Sequence, residues 1–151
     1  FADAKIGRLF STPPARPEWL TRVIEGNRFN ETQRKVYPVN ELYIKRPNGR
    51  YVILDSYNPI TGEIVSRKFS QLANVKPETA ISYLRELAVK YPSGSTIADV
   101  RTTPKTLKGA VLSGTQILEV PVQERSIPGS ILAEARKLGI LIRDVAGKVY
   151  N

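Results

Sequence analysis

The stretch Tyr51–Phe69, YVILDSYNPITGEIVSRKF, decides how the chain reads. β-Branched and aromatic residues flank a cluster of Asn58, Pro59 and Gly62, which is the composition of a hairpin. It predicts strands over 51–56 and 63–69. Side chains alternate along a strand, so Ile64, Ser66 and Lys68 share one face while Arg67 points to the other. A hairpin centred between Ile60 and Thr61 sets Asp55 opposite Ser66, pointing the same way. A carboxylate, a hydroxyl and an ammonium then meet at one spot on a sheet. Taken alone, that spacing also describes a solvated Asp55–Lys68 ion pair, worth ~0–1 kcal/mol and unrelated to function.

Upstream, Glu41–Lys45 reads as a strand that enters the hairpin through the Pro47-Asn48-Gly49 turn, so three antiparallel strands follow one another. Before them, Pro17 opens a helix with Glu18 in its first turn. Leu20, Ile24, Asn27 and Glu31 fall on one face of it, with Val23 beside them, provided the helix survives Gly26. Residues 1–16 carry STPPAR without periodicity and read as a linker or the end of a preceding module, leaving 17–151 as one domain.

Downstream of the hairpin, Lys76-Pro77-Glu78 opens a second helix with an apolar stripe of Ala80/Ile81, Leu84, Leu87/Ala88 and Tyr91. A strand is predicted over 96–100 and a basic, turn-rich loop over 101–114. Gln116–Val120 reads as a buried strand. Pro128 starts a third helix that Gly139 ends, and a strand pair, 140–143 with 148–150, closes the chain. The expected class is mixed α/β: helix, three-stranded antiparallel meander, helix, strand, then an extra helix and strands.

Composition narrows the chemistry. At 151 residues, 41% hydrophobic and 25% charged, the sequence suits a folded domain that buries about two-thirds of its unfolded surface. No run of ~18 apolar residues is present to span a membrane. The absence of Cys and His removes thiolate and imidazole chemistry, so any metal has to be held by oxygen ligands, which suit hard ions best. A net charge of +9 favours partners dense in negative charge, nucleic acid first among them. With no Met and a first residue of Phe, the chain is expected to be a piece of a longer polypeptide.

Asp55 followed by Ser66-Arg67-Lys68 resembles the pattern of the PD-(D/E)xK nucleases, whose restriction-endonuclease-like core has the same element order. That family sets an Asp on the second strand, an acidic residue and a Lys two apart on the third, and often a Glu on the first helix. Ser66 departs from it, in a way similar to nuclease toxins of contact-dependent growth inhibition systems. GNRFNE, LDSYNP, GEIVSRKFSQLA, ILEVPVQ and IRDVAGKVYN also resemble the C-terminal toxin domains of bacterial polymorphic toxins, from about Pro17 onward.

The resemblance implies a metal-dependent endonuclease. One divalent ion (Mg²⁺, Mn²⁺ or Zn²⁺) would sit on Asp55, Ser66 and Glu31, with Glu25 the alternative helix carboxylate. Lys68 would contact the attacking water or the scissile phosphate. Arg67 is expected to be structural or backbone-binding, and Gln71, Lys105 and Lys108 are further candidates for substrate contact. DNA is the expected substrate and tRNA the alternative. A non-catalytic nucleic-acid-binding module and a metal-free ribonuclease are the competing readings. The likeness further implies secretion as the C-terminal part of a larger exoprotein, action in the cytoplasm of target bacteria, and a cognate immunity protein acidic enough to complement the basic surface.

Overall fold

A computed structural model describes residues 16–151, so the expected N-terminal linker, apart from Arg16, lies outside the described residues. The elements in order are α1 (Glu18–Arg34), β1 (Val39–Lys45), β2 (Tyr51–Asn58), β3 (Glu63–Arg67), α2 (Pro77–Lys90), β4 (Thr96–Ile97), a 3₁₀ turn (Lys105–Leu107), β5 (Thr115–Val120), α3 (Gly129–Leu138) and β6 (Leu141–Asp144). The strands form one six-stranded sheet in the order β4-β1-β2-β3-β5-β6. β1, β2 and β3 make an antiparallel meander, whereas β5 and β6 run parallel to β3. The expected mixed α/β class is what the chain adopts.

Local chemistry accounts for the joints. In the central hairpin the Asn58 side-chain oxygen accepts the amides of Ile60 and Thr61 at 3.0 and 3.2 Å, and Gly62 closes the turn with φ 69. Gly114 lies directly against Gly62, where a Cβ would collide with the Gly62 main chain. Without side chains between them, Thr115 N–H reaches Gly62 O at 2.7 Å and starts the parallel ladder. Pro77 opens α2, and Gly139 ends α3 in the left-handed region with φ 71.

The two faces of the sheet are unlike. Ala80, Leu84 and Leu87 of α2, with Ile131 and Ala135 of α3, pack on Leu42, Ile44, Leu54, Tyr57, Ile64, Leu118 and Ile142 to form the main core. The opposite face holds only a small apolar cluster of Tyr37, Val65 and Ile117. There α1 docks through Asn30 and Gln33, which bind the buried side chains of Arg67 and Glu119.

Several expectations need correction. α1 runs through Gly26 unbroken, yet it does not bury the Leu20–Ile24–Glu31 stripe. Val23 is about half exposed, and the only α1 residue that is buried is Gln33. The inward face instead carries Gly26 and Phe29, which lie against Phe69, and Asn30 and Gln33, which bind the Arg67–Glu119 ion pair. The strand expected over 96–100 is two residues long, and the one expected over 148–150 is a single bridge from Val149 to Arg143.

Candidate functional site

β2 and β3 pair through Ser56–Val65, Tyr57–Ile64 and Asn58–Glu63, the register that sets Asp55 across from Ser66. The ladder stops there. Instead of a backbone carbonyl, the Asp55 carboxylate accepts the Arg67 N–H, at 2.7 Å from Oδ2. On the other side the β1–β2 pairing skips Glu41 and Asp55, and Glu41 adopts φ 50. Leu54 and Tyr57, three residues apart, consequently both join the main core. Asp55 thus sits where the regular ladder opens on both edges of its strand, half-buried and free of its usual neighbours. Burial pushes its carboxyl above the ordinary range, against the opposing pull of the Arg67 amide and of the Arg67 and Lys68 charges.

Ser66 is buried on the main-core face of β3. Lys68 follows just beyond the strand, and its side chain leans on α2. Its ammonium lies 3.8 Å from Glu86 Oε1 and 5.2 Å from the centre of the Tyr83 ring, close enough to Asp55 to favour that carboxylate's charged form. Glu86 also takes Lys90, at 3.4 Å. Tyr91, at the end of the same helix, donates its hydroxyl to Ile53 O at 2.7 Å. Burial, then the charges of Asp55 and Glu86, push that hydroxyl up to about 12. One face of α2 therefore supplies Tyr83, Glu86, Lys90 and Tyr91 around Asp55 and Lys68. Sequence reading missed these, and Tyr83, Glu86 and Lys90 at helical spacing look like any solvated helix face.

Arg67 is not open to substrate. Its guanidinium is buried under α1, where it donates to Glu119 at 2.9 Å, Asn30 at 2.9 Å and Ser56 at 2.6 Å, and stacks 5.7 Å from the Tyr37 ring centre. Gln33 and Tyr37 complete the satisfaction of Glu119, at 2.7 and 3.0 Å. A clamped guanidinium holds the Arg67 backbone still, and that backbone presents the N–H that orients Asp55. Glu119 had a signal in the sequence: a carboxylate between Leu118 and Val120 in an apolar strand requires a buried cation.

The remaining candidates are placed as follows. Glu31 is mostly exposed and pairs with Arg34 at 3.1 Å; Arg34 in turn reaches Glu41 at 3.5 Å. Glu31 is not among the charges acting on Asp55. Glu25 lies in a separate groove between α1 and the segments following β3 and β5. Both ends of the Gln71 amide are used internally, on Val122 O and Glu124 N. Lys105 is exposed on the 3₁₀ turn, and Lys108 pairs with Asp99 at 3.1 Å. Among the described residues, no three acidic side chains gather closely enough to hold a metal ion by themselves. No helix among them is long and apolar enough to cross a membrane. In comparisons with known proteins, no family model matches the sequence and no curated protein matches it.

Proposed function

We propose that this domain is a metal-dependent endonuclease with a restriction-endonuclease-like core, acting on DNA as an antibacterial toxin. The observation that carries the reading is Asp55, half-buried at the point where the β2–β3 ladder opens and holding the Arg67 amide. Lys68, just beyond β3, is close enough for its charge to act on that carboxylate. The topology supports it as well: a helix, an antiparallel meander, a crossover by α2 and a strand parallel to β3.

The donors at the site are oxygens only. Asp55 and Ser66 stand opposite one another where the β2–β3 register continues past Ser56–Val65, and burial makes the Asp55 charge costly unless a cation compensates it. Such a pair fits a hard divalent ion, which keeps much of its own water and needs one or two carboxylates besides substrate phosphate. Glu31, engaged with Arg34, does not complete the set as it stands. When bound, the ion would acidify a water and neutralise charge on the phosphoryl oxygens. Asp55 would anchor it and orient that water, and Ser66 would offer a second oxygen. Lys68 would place a positive charge where the phosphodiester becomes more anionic. Arg67 and Glu119 act behind the site by fixing the amide that aims Asp55. The net charge of +9 supports a polyanionic substrate and an acidic immunity protein as partners.

The test is incubation of the purified domain with plasmid DNA and with total tRNA, in Mg²⁺, Mn²⁺, Zn²⁺ or chelator. Wild type is expected to nick and linearise plasmid only with metal, and Asp55→Ala and Lys68→Ala are expected to abolish cleavage with unchanged circular dichroism. Cleavage by the double variant would sink the site. Cutting of tRNA alone would move the substrate to RNA, and cutting in chelator would reject the metal.

A further inference from the structure

Lys68 and Lys90 both lie within ion-pair distance of the same Glu86 oxygen. Lys90 is also part of the wall of an open groove of about 670 Å³ that runs between the C-terminal end of α2 and the β1–β2 turn. The other walls carry Lys45, Arg46 and the hydroxyl-bearing turn Ser93-Gly94-Ser95. Arg46 is near enough to Tyr91 for its charge to act on that hydroxyl, which donates to Ile53 O, two residues before Asp55 on β2. Among the described residues neither Lys45 nor Arg46 has an acidic partner, and no carboxylate lines the groove. Lys90 shares the single carboxylate of Glu86 with Lys68, whereas Lys108, nominated from sequence, has Asp99 to itself.

We infer that this groove is the track for the sugar–phosphate backbone of the nucleic acid, with Lys45, Arg46 and Lys90 contacting successive phosphates and leading the strand to Lys68. The inference rests on the nuclease reading and gives it a substrate path. Three cations in a concave wall attract a polyanion in a way that scattered surface lysines do not, because the phosphates are held at a fixed spacing and each contact releases counterions. Contacts of this kind go to the backbone and carry no base preference, so they serve duplex DNA and tRNA alike.

The experiment measures binding, not cleavage. Fluorescein-labelled duplex DNA and labelled total tRNA are titrated with wild type, with K45Q/R46Q/K90Q, and with the equally charged control K76Q/R136Q/K137Q, all in chelator, from 50 to 200 mM salt. The groove variant is expected to bind at least about 30-fold more weakly and to lower the slope of log affinity against log salt by about 2–3, with the control changed by less than about threefold. Equal losses in both variants, an unchanged slope, or no binding by wild type would overturn the track. Should the triple variant fold poorly, Lys45→Glu alone, at an exposed side chain, is expected to weaken binding with an unchanged melting temperature; unweakened binding would count against the track. Groove-dependent binding without cleavage in any metal would keep this inference and overturn the nuclease reading. Cleavage with groove-independent binding would do the reverse.

Discussion

At the scale of a single residue, Asp55 shows how a site differs from the structure around it. An ordinary strand position would pair its backbone with both neighbours, whereas Asp55 uses its side chain to hold Arg67 and has no partner opposite on β1. Burial raises its folded pKa above the ~3.9 of an unfolded aspartate. A group of that sign binds its proton more tightly when folded, so its stabilising contribution is full below ~3.9 and is lost as pH rises through the raised value. The charged Asp55 of neutral pH therefore opposes folding. Asp55→Asn keeps an acceptor for the Arg67 amide and removes the charge. Its urea midpoint at pH 7 is expected to equal or exceed that of wild type while cleavage is lost, and the difference should shrink toward pH 3. A clearly lower midpoint at pH 7 would show that Asp55 is structural.

Among the elements, α1 is the one held least by apolar packing. It is fastened by Arg67, Glu119, Asn30 and Gln33 in place of a hydrophobic stripe. Removing one partner of a buried pair strands the other without solvent. Arg67→Leu is accordingly expected to cost about 3–5 kcal/mol in urea unfolding, and adding Glu119→Leu should recover much of it. The same chemistry explains why α1 was hard to read. Periodicity finds apolar faces, and here Leu20, Val23 and Ile24 mimic one while the contact face joins Phe29 to the polar Asn30 and Gln33. α2 and α3 bury ordinary stripes of Ala, Leu and Ile, and both were legible with their proline starts.

For the whole molecule, acid sensitivity is set by carboxyls of the opposite sign to Asp55. At Asp144, burial raises the pKa, but the Tyr150 hydroxyl, the Lys148 and Ala146 amides and the Lys148 charge together outweigh it and hold the carboxyl below the usual range. At Glu63, burial is likewise outweighed, by Thr61 and Arg143. Stability from both is present above the unfolded values near 4 and is lost as pH falls through their folded ones. The midpoint of urea unfolding is expected to drop between pH 5 and pH 2, and Asp144→Asn should flatten that drop while lowering the plateau. An unchanged profile would remove Asp144 from the account.

The sequence by itself determined the three helices, the central meander with its hairpin register and the strand over 116–120, because turn chemistry and side-chain alternation act over a few residues. Asp55 facing Ser66 follows from those local rules. Only the tertiary structure decided which charges are free and which are spent. It turned Arg67 inward onto Glu119 and brought Glu86 of α2, which Lys90 also pairs with, beside Lys68. Arg67 with Glu119, and Lys68 with Glu86, are separated along the chain by distances over which no local pattern operates, and for the buried pair Arg67–Glu119 the cost of an unpaired charge is what selects the partner.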